Sequence, residues 1–178
     1  MLENIVRKKI NIMMKRIAAM TVLAAAFVFM FLIMMCACSS KNGGKTVSLT
    51  TDEIAGEVLT SVKFPAMMDY TNQSEIEMYF GADFNNIKDI TCKQQAISVN
   101  LAEIIIIKPK DGAMDAVMAF LRGRQDKFKN QSSYYPSQQL AAEATVVGSK
   151  YNVAYLICHD DAAAAEKALL NLLEKSLE

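Results

Sequence analysis

Cys38 has the sequence surroundings of a cysteine that accepts a lipid. A run over residues 17–35 that is apolar except for Thr21 follows Lys15 and Arg16 and ends shortly before Cys38. Ala37, directly before this cysteine, is small enough for a lipoprotein signal peptidase. Since a basic start stays inside while the apolar stretch enters the bilayer, the rest of the chain is exported. The pattern therefore predicts cleavage before Cys38 and a lipid on its thiol.

This leader divides the chain into three predicted parts. Residues 1–37 form the lipoprotein signal peptide, residues 38–47 a polar, glycine-containing flexible tether, and residues 48–178 a single folded domain. A retained membrane anchor is the alternative, because the apolar run approaches the roughly 20 residues that span a bilayer core. Both alternatives place the domain on the extracytoplasmic face of the cell membrane. The initiator stays open among three methionines, Met1, Met13 and Met14.

The net charge of the chain after residue 37 limits the kinds of partner that it is expected to bind. The first 37 residues hold five of the 19 basic residues and one of the 19 acidic ones, which leaves 14 basic and 18 acidic residues. Nucleic-acid-binding surfaces need clustered lysines and arginines to meet the phosphates. We therefore expect no nucleic acid partner.

The single histidine, His159, lies between Cys158 and Asp160. A thiol beside a histidine suggests nucleophilic catalysis, and His159, Asp160 and Asp161 form a cluster of zinc-ligand types. Neighbouring strand residues point to opposite faces, however, and zinc normally takes three or four such ligands. We therefore predict no catalytic residues, no metal site, no cofactor and no enzymatic activity. An enzyme built on His159 and Asp160 is the weakest alternative, and it requires a cleft beside them.

Cys92 and Cys158 are the cysteines that remain after cleavage if Cys38 carries lipid. In an oxidising exterior the two thiols are candidates for a disulfide. The alternative is that each fills a strand position as a small apolar side chain. Both interpretations stay open, because spacing along a chain does not show that two cysteines meet.

A candidate contact surface lies at Tyr134, Tyr135 and Pro136, in a segment predicted to be non-helical. Two aromatic rings on a polar loop favour contact with another macromolecule. The alternative is that one ring covers the edge of the sheet.

Four helices are predicted from caps and from the helical spacing of apolar residues. The first begins after Thr50, with Glu53 placed to complete a capping box, and ends near Lys63 because Pro65 follows. The second helix is residues 74–80, and Gly81 ends it. The third is residues 111–130, and the last begins at Asp160 or Asp161.

Four strands are predicted, at residues 89–99, 103–108, 145–147 and 151–158. The run Ile104–Ile107 is β-branched and too short for a globular helix, which favours a central strand buried on both faces. Asn100 is the predicted turn of the first pair, and residues 148–150 are the predicted turn of the second. Pro109 is expected to end strand pairing.

These elements, in the order ααββαββα, predict an α+β fold. Short turns between the strands imply antiparallel pairs, and helices must cover their apolar faces. We therefore expect a small antiparallel sheet of about four strands packed with about four helices. The long third helix must bring the second strand pair beside the first.

The order of several short motifs resembles a known family. The motifs are Thr51–Ile54, Lys110–Asp111, Tyr134–Pro136, Val146–Tyr151 and Asp160–Ala162. Over residues 48–176 their order is similar to that of an uncharacterised lipoprotein family from clostridial and related Gram-positive bacteria, domain of unknown function 4358. The resemblance implies the lipid signal, the location and the fold, and it implies no reaction.

Together these features predict a membrane-anchored extracytoplasmic lipoprotein. Its membrane contact is the lipid on Cys38, and its expected role is a non-catalytic binding or protein-interaction module with an envelope protein as partner. A small-ligand-binding accessory to an envelope transporter is the main alternative. A single compact domain lacks the two lobes usual for solute capture, which weighs against that alternative.

Overall fold

The computed structural model describes residues 46–131 and 135–177. The predicted signal peptide, Cys38, nearly all of the predicted tether and Tyr134 lie outside the described residues. Within them the chain forms five helices and five strands, which confirms the predicted α+β class. In chain order the elements are α1 (Thr51–Ser61), β1 (Met67–Tyr70), α2 (Gln73–Phe80), β2 (Ile87–Gln95), β3 (Glu103–Pro109), α3 (Met114–Asn130), α4 (Pro136–Ala144), β4 (Val146–Lys150), β5 (Val153–Cys158) and α5 (Ala162–Lys175).

The strands form one antiparallel sheet in the order β1-β2-β3-β5-β4. β3 lies in the centre, between β2 and β5. Its four isoleucines are fully buried, and they alternate between the two faces of the sheet. The predicted central strand is therefore confirmed, as is the placement of the second strand pair beside the first.

Helices cover both faces of this sheet. α1 and α5 pack on the face of Ile104 and Ile106, and the other three helices pack on the face of Ile105 and Ile107. Large buried helical side chains include Ile54, Val58, Leu169 and Leu173 on the first face, and Phe80, Val117, Leu121 and Phe128 on the second. Full burial of one such side chain contributes about 1.5–3 kcal/mol. Because both faces are covered, β3 can be apolar without alternation.

The predicted ends of the first two helices agree closely with the structure. The backbone amide of Glu53 donates to Thr50 Oγ1 at 3.2 Å, and the amide of Thr50 donates to Glu53 Oε2 at 2.7 Å, so the capping box is confirmed. α1 ends at Ser61, slightly before the predicted Lys63. Gly81 ends α2 with φ of 77°, a left-handed conformation that glycine adopts without strain.

Two elements were missed by the sequence-based prediction. β1 is a strand of four residues at the edge of the sheet, too short to show an alternating pattern. α4 occupies part of the segment predicted to be non-helical, and Pro136 is its first residue. Proline suits a first helical turn because its missing N–H has no helical partner there. The buried polar side chain of Gln138 interrupts the apolar spacing that would have revealed this helix.

Three predicted strand boundaries were also wrong. β2 ends at Gln95, and Pro109 still pairs with Ile87 at the far end of β3. The turn between β4 and β5 lies at Tyr151 and Asn152, with φ of 51° and 61°, where residues 148–150 had been predicted. Positive φ at both positions is the geometry of a tight two-residue hairpin.

Candidate functional site

One end of the sheet carries the loop between β2 and β3, residues 96–102, and two clefts that flank it. The larger cleft has a volume of about 480 Å³ and lies between this loop, α3 and the start of α4. The smaller one, about 250 Å³, lies on the side of His159. Asn100 and Leu101 line both, so the clefts adjoin across the loop.

One member of a buried ion pair, Arg124, lines the larger cleft. Arg124, on α3, donates through Nε and Nη2 to the carboxylate of Glu103, the first residue of β3. Glu103 is fully buried, and the Arg124 side chain is 11% exposed. Gln94 Nε2 lies 3.4 Å from Glu103 Oε2, and Arg124 Nη1 donates to the Tyr79 carbonyl at 3.4 Å. The contacts of this pair thus join strands β2 and β3 to helices α2 and α3.

Aromatic rings enclose the guanidinium of this pair. Arg124 Cζ lies 4.5 Å from the ring centroid of Phe80 and 5.6 Å from that of Phe128. Both distances allow cation–π attraction. Burial raises the pKa of Glu103, with the charge and hydrogen bonds of Arg124 acting in the opposite direction. Arg124 therefore supplies charge compensation inside the protein and is not a free cation for a ligand.

Gln138 holds the loop against α4. Its Nε2 donates to the carbonyl of Ser98 at 2.7 Å, and a longer contact of 3.4 Å reaches the carbonyl of Asn100. Its Oε1 accepts from the backbone amide of Tyr135 at 3.1 Å. A buried amide that satisfies backbone groups on both elements makes the cleft a pre-formed feature.

Lys127 gives the larger cleft its accessible positive charge. It lies on α3, one turn after Arg124, and is exposed. Within the described part of the chain it forms no ion pair, and none of the described residues that line the cleft is acidic. Amide side chains, including Gln94, Gln95 and Asn100, supply most of the other polar groups.

His159 lies at the smaller cleft, as does Asp160. Its Nε2 is 3.3 Å from the carbonyl of Lys63, and its Nδ1 accepts from the backbone amide of Asp161 at 3.0 Å. Nδ1 also lies 2.9 Å from Asp160 Oδ1, and this contact is an ion pair only when the imidazole is protonated. Its ring packs on Phe64 at a centroid distance of 4.4 Å. The cleft that a His159-based site requires is thus present, and His159 contacts Asp160 there, while both ring nitrogens also contact backbone groups.

The disulfide considered from the sequence is not formed in this structure. Cys92 pairs with Ile105 and Cys158 with Glu103, so β3 separates the two cysteines. Strands two apart lie roughly 10 Å from each other, beyond the about 7 Å between Cα atoms that a disulfide tolerates. Both thiols are free and buried, in the core on the α3 face of the sheet.

Native Cys158 is expected to resist alkylation, and so is Cys92. Burial raises the pKa of both thiols, that of Cys158 to about 12. A rise of three pKa units lowers the thiolate fraction near neutral pH roughly a thousandfold. Iodoacetamide labelling at pH 8, read by peptide mass spectrometry, should modify both cysteines only in denaturant. Rapid labelling of native Cys158 would contradict its burial, and Ser149→Cys provides an exposed control in the neighbouring hairpin.

The predicted contact segment is only partly described. Tyr134 lies outside the described residues. Tyr135 precedes the first residue of α4 and is 65% exposed at the rim of the larger cleft. Two loop residues, Ile97 and Val99, are also exposed, by 57% and 58%. Gln138 ties the backbone of this loop to the start of α4, so Ile97 and Val99 lie on a loop that is fixed beside the cleft.

Sequence reasoning missed the Glu103–Arg124 pair and Gln138. Glu103 heads an isoleucine-rich strand, and a carboxylate in such a strand requires a buried cationic partner. That signal was available, but it could not select among the four basic residues of α3. Gln138 had no signal, because its partners are backbone carbonyls far away in the chain.

The described residues also bear on metal binding and membrane crossing. Among the described residues, no group of three His, Cys, Asp or Glu side chains is placed to hold a metal ion. The helices in the described ranges include none with the length and apolar character needed to cross a bilayer.

Comparison with known proteins supplies the family. Residues 60–159, more than half of the chain, match the family described as Domain of unknown function (DUF4358). This range runs from the end of α1 to His159 and contains every described residue that lines the larger cleft. No curated protein and no solved structure matches the chain. The chain therefore belongs to the DUF4358 family.

Proposed function

We propose that this protein is a lipid-anchored extracytoplasmic module that binds a partner protein without catalysis. Cys38 carries the lipid, and the sheet end with the two clefts makes the contact. The observation that carries the proposal is the position of the clefts relative to the first described residues. These two features lie at opposite ends of the sheet.

The course of β3 supports this arrangement. Glu103 begins β3 beside the larger cleft, and Lys108 lies near its other end. Lys108 Nζ donates to the carbonyls of Val47 and Leu49, at 2.9 and 2.5 Å, so the first described residues run past that other end. The five steps along the strand from Glu103 to Lys108 separate the two ends by about 17 Å. A domain tethered through residues before Val47 can present its clefts away from the membrane.

The state of the reactive side chains supports a role in binding. The thiol of Cys158 is buried with a raised pKa, and Arg124 is neutralised by Glu103. His159 has both ring nitrogens engaged. Exposed apolar residues beside the clefts, in contrast, are typical of contact surfaces.

Lipid attachment is tested by the mass of the N-terminal peptide purified from membranes. We expect cleavage before Cys38 and a diacylglyceryl group on its thiol. A Cys38→Ala variant should keep its leader and lack the lipid. An intact leader without lipid in the unsubstituted protein would overturn the anchoring.

Partner contact is tested by photo-crosslinking in intact cells. A benzophenone amino acid placed at Gln95 or Tyr135 should give discrete protein adducts upon irradiation. Lys167, exposed on α5 at the opposite face of the sheet, is the matched control and should give few. Equal adducts from all three positions, or none from the cleft positions, would overturn the proposed binding surface.

One observation favours a second candidate function, capture of a small ligand for a transporter. The volume of the larger cleft, about 480 Å³, lies in the range of small-molecule pockets. Ligand capture predicts that a specific metabolite raises the Tm of the purified protein and that the cleft positions give no protein adducts. The crosslinking experiment therefore separates the two functions.

A further inference from the structure

We propose that the larger cleft binds an acidic, partly apolar peptide segment of the partner protein. This inference rests on the proposed binding function and specifies the chemistry of its partner. It combines three observations: the charge of the cleft, the exposed apolar side chains on and beside it, and its continuation into the smaller cleft.

The charge of the cleft favours a carboxylate. Arg124 and Lys127 are its basic residues, and the carboxylate of Glu103 behind Arg124 is fully buried. No acidic side chain lines the cleft among the described residues. Lys127 is exposed and forms no ion pair with a described residue. An Asp or Glu side chain of a partner would complement Lys127, and such complementarity steers association and sets specificity.

Exposed apolar side chains on and beside the cleft favour a polypeptide over other polyanions. Tyr135 lines the cleft, Ile97 and Val99 lie on the loop that borders it, and all three are more than half exposed. An apolar side chain of a partner would remove these surfaces from water, which a highly charged glycan or phosphate polymer cannot do. Exposed aromatic and aliphatic side chains beside a charged group are typical of the anchoring part of protein interfaces.

The two adjoining clefts favour an extended segment. Asn100 and Leu101 line both, so a chain that leaves the larger cleft reaches Phe64 and Pro65 in the smaller one. The smaller cleft carries both Lys63 and Asp160, so its charge is mixed. The acidic part of the segment is therefore assigned to the larger cleft, and an apolar part to the smaller.

The loop between the clefts is held in place before any partner arrives. Gln138 bonds to the backbone of this loop, and Gln95 Oε1 accepts from the amide of Ala102 at 3.0 Å. A pre-formed site avoids the entropic cost of ordering a loop on binding. A short peptide should therefore bind without the rest of the partner.

The test uses a phage-displayed library of random 12-residue peptides, selected on the full chain in lipid nanodiscs. Enriched peptides should contain Asp or Glu next to apolar residues. Their Kd, measured by fluorescence anisotropy, should rise about tenfold or more in Lys127→Glu, because a repulsive pair replaces an attractive one. Arg122→Glu makes the same charge change on α3 away from the cleft and should change the Kd less than twofold. Circular dichroism should confirm that both variants fold.

The remaining outcomes overturn the inference. One is no enrichment, or enrichment of peptides without acidic residues. Another is equal weakening by Lys127→Glu and Arg122→Glu, and a third is Lys127-dependent binding of an anionic wall polymer in place of peptides. If crosslinks still map to the cleft in cells, the proposed function survives while the peptide assignment fails. If those crosslinks are absent, the proposed function fails as well.

Discussion

Glu103→Leu is expected to lower the free energy of unfolding by about 3–5 kcal/mol, since the substitution leaves the buried charge of Arg124 without a counter-charge. The guanidinium would lose both of its bonds to the carboxylate while Phe80 and Phe128 still enclose it. Urea denaturation followed by circular dichroism measures the change, provided that the slope against urea stays constant. A cost below about 1 kcal/mol would contradict the enclosed ion pair.

Two further variants test whether the loss in free energy of unfolding comes from an unpaired charge. Glu103→Leu combined with Arg124→Met removes both charges, and the free energy of unfolding should return close to that of the unsubstituted protein. Glu174 pairs with Lys150 at the surface, so Glu174→Ala should have little effect. If the double variant were as unstable as Glu103→Leu alone, lost packing rather than charge would explain the result.

Gly148→Ala is expected to destabilise the protein by about 2–4 kcal/mol, although alanine usually suits a strand at least as well as glycine. A Cβ at this position would overlap Tyr155 Oη and lie 2.5 Å from its Cζ. Tyr155 is 3% exposed, and its hydroxyl donates to Glu166 Oε1 at 2.7 Å. The ring would have to move, which disturbs the core and this hydrogen bond. Thermal and urea denaturation measure the loss.

Gly123→Ala is the matched control. Gly123 is exposed within α3, and a Cβ there meets nothing within 4 Å. The same substitution should therefore stabilise the protein, by up to about 1 kcal/mol. In a Tyr155→Leu background, Gly148→Ala should cost much less, because the atoms that it meets are gone. Equal effects of Gly148→Ala with and without the tyrosine ring would refute the proposed clash.

The sequence by itself determined the fold class, the central strand and the limits of most helices. These features depend on interactions between residues near one another in the chain. Thr50 and Glu53 cap one helix within a single turn, and Gly81 ends the next through its own backbone freedom. The run Ile104–Ile107 is apolar on both parities, which already requires cover on both faces. The family resemblance also follows from the sequence, and the match over residues 60–159 confirms the DUF4358 part of it.

Only the tertiary structure decided the site, because its contacts join residues far apart in the chain. No local pattern in the sequence indicates that Glu103 pairs with Arg124, or that Gln138 donates to the carbonyl of Ser98. The same limit applies to Gly148, which looked like a turn residue and instead gives room to the Tyr155 ring across the hairpin. The separation of Cys92 from Cys158 follows from strand order, which composition and spacing do not encode. Interactions between residues close in the chain therefore determine the helices and strands. Packing between distant segments determines the clefts that we propose bind the partner.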